Sequence, residues 1–289
     1  MSTTIPFHSL TLPALIAVKA TDSSYQPIRP LTTEEQQELS SAGALYEIIK
    51  PIIVMFGVAD LNYRDFCRLA EALLRPENRP QNSILEANRA VFNYVAAADA
   101  LLNHTQTRFK ALCRKGVVKT NTFHELCEML KRNNDDFQFL CEFRDHVLHN
   151  ALPVGSLSET KSTTDGIGFS LTYASESLRR SRREWNSCRL LRKQSTVDLK
   201  RQIEAFHAIM HKDILKSIIG TFLSDLHESN DLYHRLAKEA ITAHPNHSPG
   251  ILTRHTSNGA NFVIEVGIIP VDIFEDLGLS GSWVIKPRI

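Results

Sequence analysis

The chain has 289 residues, enough for one large domain or two small ones. Hydrophobic residues make up 43% and charged residues 22%, which excludes a disordered or fibrous chain. Its formal net charge of +1 excludes a global bias toward nucleic acid or an anionic membrane, so any such preference has to come from local patches.

Residues 1 to about 30 hold four prolines and little periodicity, which predicts an extended arm or loops. The first twenty residues lack a basic leader, and two prolines break their apolar run, so no signal peptide is expected. From Thr32 the pattern turns helical. Thr32 suits a cap, Glu34 and Glu35 suit a first turn, and apolar residues recur from Leu39 to Phe56. The window "IIKPIIVMFGVA" contains Lys50 and Pro51 and reads as too short to span a bilayer. The expectation is a protein of the cytoplasm. A shorter helix is predicted from Tyr63 to Leu74, followed by the loop "RPENRPQNS".

The next helix is long, from Ser83 to Ala111. Val91, Tyr94, Val95, Ala98, Leu101 and Leu102 follow the three-four spacing of one buried face. After "KGVVK", Thr122 and Glu125 form a capping-box pattern ahead of Phe123, Leu126, Cys127 and Leu130. Another helix starts near Asp135 and stops before Pro153.

Beyond Pro153 a polar loop leads to "GFSLTYAS", a strand candidate. Ser195 to Asp198 repeats the capping-box pattern. Leu199, Ile203, Phe206, Met210, Ile214 and Ile218 then form a helical stripe, and a further helix runs to about Ala243. In the tail, "NFVIEVGIIP" reads as a strand and "PVDIFEDLG" as a short helix. The expected organisation is an arm over 1–30, a helical domain over 31–245 with a loop and strand insertion at about 154–194, and a β-containing tail over 246–289. The fold class is mainly α, a helical bundle with a small β element.

The five cysteines are Cys67, Cys113, Cys127, Cys141 and Cys188. The count is odd and contains no CxxC pair, which argues for reduced thiols rather than a disulfide frame or a zinc site.

The stretch "FLCEFRDHVLHNALP" is the unusual one. At 100° per residue, Phe137, Leu140, Cys141, Val147 and Leu148 all fall within about 60° of Arg144. The arginine thus occupies the centre of an apolar stripe, where an unpaired charge costs several kcal/mol. A carboxylate, a second subunit, or an anion in an open cleft has to compensate it. Asp145 and His149 are four apart and neighbour each other on one flank, an arrangement suited to general acid-base work.

Arg144, four residues and then His149, in the context "FRDHVLHNALP", resembles the R-x4-6-H signature of HEPN domains. Upstream, "NRAVFNYVAAADALLNHTQTRF" resembles the long helix that precedes this motif in one HEPN subgroup. The resemblance covers roughly residues 80 to 155 well and 170 to 220 loosely. Arg201 with His207 fits the same spacing, but Arg201 lies off its helix's stripe. HEPN proteins are helical bundles, often homodimers, and many are metal-independent endoribonucleases of toxin-antitoxin and anti-phage systems. The resemblance therefore implies RNA cleavage by the substrate's own 2′-hydroxyl. His149 would move the proton, Arg144 would clamp the phosphate, and Asp145, where asparagine is more usual, would orient His149. The alternative is a non-catalytic HEPN-like subunit that binds RNA, nucleotide or a protein partner such as an antitoxin.

Other candidates are weighed against plainer readings. His146 is three from His149, a metal-compatible spacing, but no third ligand is evident, so neither metal nor cofactor is expected. His104 and Arg108 are four apart on the preceding helix, placed either in the same cleft or on the surface near its end. Between Glu176 and Arg201, nine basic residues face three acidic ones. Arg179, Arg180, Arg182 and Arg183 with Trp185 suit a phosphate backbone and one stacked base, or the docking strip of an acidic partner. The chain has no P-loop, GxSxG or HExxH motif.

Overall fold

The computed structural model describes residues 11–19, 21, 24–118, 122–149, 154, 157–161, 167–181, 185, 187–258, 261–268 and 277. The protein is mainly helical with a small antiparallel sheet. It divides into two compact units, residues 51–221 and residues 1–50 with 222–289.

In the second of these, the stretch expected to be an arm is a pair of strands. Strand β1 (Ala14–Val18) pairs antiparallel with both β2 (Tyr25–Pro30) and β7 (Ser248–Asn258), and β7 pairs with β8 (Asn261–Ile268). The order is β2-β1-β7-β8, so arm and tail form one sheet. The sequence "ALIAV" does not alternate because β1 is an inner strand, and Ala14 to Ala17 are fully buried. The strand expected in "NFVIEVGIIP" is β8. The short helix expected in "PVDIFEDLG" lies outside the described residues, apart from Leu277.

Helix α1 (Thr33–Leu74) opens on a reciprocal capping box. The Glu35 N–H donates to Thr32 Oγ1 at 3.1 Å, and the Thr32 N–H donates to the Glu35 carboxylate at 2.9 Å. Two helices were expected here, and one continuous helix runs through Pro51 instead. The reason is the stripe: Ile52, Phe56, Ala59, Phe66, Ala70 and Leu73 are buried at three-four and seven-residue intervals across the expected break. By length and composition alone, the uninterrupted α1 is long and apolar enough to cross a membrane.

In the 51–221 unit, α2 (Ser83–Arg114) buries all six residues of its predicted stripe. It ends in a Schellman motif: the Val117 N–H donates to Leu112 O and the Gly116 N–H to Cys113 O, with Gly116 at φ +74°. Helix α3 (Thr122–Asn133) and α4 (Asp135–His149) follow. The "GFSLTYAS" segment splits at Leu171 into β4 (Ile167–Ser170), paired with β3 (Ser158–Lys161), and β5 (Thr172–Ala174), paired with β6 (Thr196–Asp198). Short helices α5 (Ser175–Ser181) and α6 (Arg189–Lys193) lie between β5 and β6. Helix α7 (Leu199–Ile209) is capped by Asp198, whose carboxylate accepts the Arg201 N–H at 3.3 Å. The expected Ser195 cap is displaced because residues 196–198 pair as a strand. A π-helical turn (Met210–Leu215) connects α7 to α8 (Lys216–Ala243).

Helix α4 is the hub of this unit, packing on α2, α3, α6 and α7. Phe137 stacks on Phe206 of α7, with ring centroids 5.2 Å apart, and Phe139 stacks on Phe143 at 5.6 Å. The post-motif segment is tied to α2 by the buried Asn88. Its Nδ2 donates to Val154 O at 2.8 Å, and its Oδ1 accepts the Val154 N–H at 2.9 Å.

Candidate functional site

Arg144 leaves the apolar stripe of α4 with its side chain 19% exposed, so its charge sits at the edge of the core. Of the three compensations weighed from sequence, the carboxylate is the one found. Nε and Nη2 donate to Asp145 Oδ1 at 3.1 and 2.9 Å, and Nη1 lies 3.2 Å from Asp99 Oδ1 on α2. Asp99 Oδ1 also accepts from Asn103 Nδ2 at 2.9 Å. Burial opposes the charge on Arg144, but the two carboxylates outweigh it and raise its pKa.

Arg144 also lines a surface pocket between α2, α3 and α4, together with Asn103, Gln106, His124, Glu128 and Lys131. Cys127 and Cys141 sit in the same wall. Burial pushes their thiols up to about 12 and about 11, so both are neutral and unreactive at ordinary pH. All five cysteines are free. The pocket presents two cations, each already facing a carboxylate: Lys131 Nζ lies 3.9 Å from Glu128 Oε1, and Arg144 is bound by Asp145 and Asp99.

Asp145, expected to orient His149, binds Arg144. His149 is the last residue of α4, and its side chain lies outside the described residues. His146 packs edge-on against Trp185 with centroids 5.9 Å apart, which turns it toward the interior. The Nε–H of Arg108 donates to His104 Nε2 at 2.8 Å. The α2 residues in the pocket wall are Leu102, Asn103 and Gln106 rather than this pair.

The basic strip does not form one surface helix. Arg179 is exposed on α5, while the Arg180 side chain, Arg182 and Arg183 lie outside the described residues. Arg189 and Lys193 on α6 both bind Asp135, holding its carboxyl below the usual range. Trp185 corrects the expectation of a base-stacking platform. It is 1% exposed and packs against Phe139 at 5.7 Å, so neither ring face is open to a base.

One cluster was missed. His211 Nε2 lies 2.7 Å and His207 Nε2 3.4 Å from the same Asp60 Oδ1. Tyr63 stacks flat on His207, centroids 3.8 Å apart at 12°, and Phe56 meets His211 edge-on at 5.6 Å. Burial, then the neighbouring His211, pull the His207 pKa down to about 4 against the pull of Asp60, so its imidazole is neutral. The available signal was the four-residue interval between His207 and His211 on one helical face. Asp60 is far away in sequence and gave none.

No family model, curated protein or solved structure matches the chain.

Proposed function

We propose that this chain is a metal-independent endoribonuclease of the HEPN type, acting in bacterial toxin-antitoxin or anti-phage defence. The observation that supports it most is the setting of Arg144: a mostly buried guanidinium fixed by Asp145 and Asp99, in the wall of a pocket it shares with Lys131, on the helix that ends at His149. A fixed planar fork is suited to an RNA phosphate, because its donors are held in place before charge develops. In this reading the substrate's 2′-hydroxyl attacks the adjacent phosphorus. His149 takes the hydroxyl proton or returns one to the leaving 5′-oxygen. Arg144 stabilises the charge on the phosphorane oxygens. The resemblance also implies a homodimer, although the charge of Arg144 is answered within one chain and does not itself require a second copy.

The second reading is a non-catalytic HEPN-like module that binds RNA or a protein partner. Its support is that Arg144 already contacts two carboxylates, which compete with a phosphate for the guanidinium. Incubation of purified protein with total RNA in EDTA separates the two. Cleavage that is lost in His149→Ala supports the enzyme, whereas binding without cleavage supports the module. Light scattering on the same sample reports the oligomeric state.

A further inference from the structure

We propose that Asp60, His207 and His211 form a binding site for a divalent first-row transition cation, zinc-like in its ligand set, with one coordination position open to solvent. The three ligand atoms, two imidazole nitrogens and one carboxylate oxygen, lie within 4.8 Å of one another. Two histidines and one carboxylate, with a position left for water, is an established pattern for such cations.

The distances suit an ion. In a tetrahedral site with metal–ligand bonds of about 2.0–2.1 Å, ligand atoms stand about 3.4 Å apart. Asp60 to His207 is already 3.4 Å. Asp60 to His211 is 2.7 Å and would open by about 0.7 Å, a side-chain rotation, when the proton between them is replaced by a cation. Two Nε2 atoms converge on one oxygen, where a structural hydrogen-bonded pair needs only one imidazole. The π-helical turn begins at Met210, between the two histidines, and such turns recur at functional sites because they re-aim a side chain within a helix.

The surroundings point the same way. Tyr63 and Phe56 fix the two imidazole planes, and His211 and Asp60 remain 33% and 29% exposed, which leaves a path for an ion. The Tyr94 hydroxyl is buried and has no hydrogen-bond partner among the described residues. Its ring lies 6.0 Å from both His207 and Tyr63. The cluster shares none of the residues placed in the Arg144 pocket, so it stands or falls apart from the ribonuclease reading.

The test uses the full-length, metal-stripped protein and cobalt(II) as the spectroscopic probe. The expected result is visible d–d absorption of low-symmetry cobalt that saturates at one equivalent per chain, is bleached by zinc, and is accompanied by a rise in melting temperature with zinc. Asp60→Asn and His211→Gln, checked by circular dichroism, should weaken binding by on the order of 10–100-fold or more. A folded wild-type protein with neither absorption nor a zinc-dependent rise in melting temperature overturns the proposal, whatever the variants do. So does absorption dominated by thiolate-to-cobalt charge transfer that persists in both variants, which places the ion on cysteine.

Discussion

Arg144 Nη1 lies 3.2 Å from Asp99 Oδ1 and so joins α4 to α2 across the edge of the core. Both side chains are mostly buried, and Asp145 is the only other carboxylate contacting the guanidinium among the described residues. Removing Asp99 still leaves the guanidinium its second carboxylate, Asp145, whereas removing Arg144 leaves both Asp99 and Asp145 without their shared cation. Asp99→Ala should therefore destabilise the protein by only about 1 kcal/mol, whereas Arg144→Met should cost about 2–3 kcal/mol. Urea unfolding of the two variants checks the asymmetry, and an equal loss in both would contradict it.

Trp185 is a core residue, packed against Phe139 and His146. Trp185→Ala should cost about 3–5 kcal/mol, the range for emptying a large aromatic site. A stable, fully folded Trp185→Ala with weakened RNA binding would instead restore its role as a stacking platform.

Asn88 satisfies both backbone groups of Val154. Asn88→Leu keeps the branched shape but orphans a buried N–H and a buried C=O, at about 2 kcal/mol. Faster hydrogen exchange at the Val154 amide, with little change elsewhere, is the expected local signature.

Arg29 donates to Glu35 at 2.7 and 2.8 Å and to Glu239 at 2.6 and 2.7 Å. The Arg29 guanidinium holds the Glu35 carboxyl at about 2, below the usual 4.5. Between those values the unfolded state binds more protons than the folded one, so stability rises with pH across the window. The contribution is complete above about 4.5 and is lost as pH falls toward 2. With Arg29 partly exposed, it amounts to roughly 2–3 kcal/mol. Glu35→Gln should flatten the acid limb of the stability profile, measured by thermal melts from pH 5 downward. An unchanged limb would remove Glu35 from the account.

How far the sequence reached depends on the range of the interaction concerned. The α2 stripe from Val91 to Leu102 was legible because burial repeats within the helix itself. The continuity of α1 was legible in principle, since Phe56, Ala59 and Phe66 keep their spacing across the expected break between Phe56 and Tyr63. Strand β1 was hidden: its five residues show no alternation, and its partner β7 lies at the other end of the chain. The site divides in the same way. That Arg144 needed compensation followed from its place on the stripe. That Asp99 supplies it, or that Asp60 meets His207 and His211, depends on how separate helices are placed, which no local pattern encodes.

The most direct test of the ribonuclease reading is single-turnover cleavage of a defined RNA in EDTA by wild type, Arg144→Ala and His149→Ala. Wild type should cleave, His149→Ala should lose cleavage with the fold retained, and the Arg144→Ala defect should appear in the cleavage step rather than in RNA affinity. Wild-type cleavage by His149→Ala, or no cleavage by the wild-type protein, would contradict that reading.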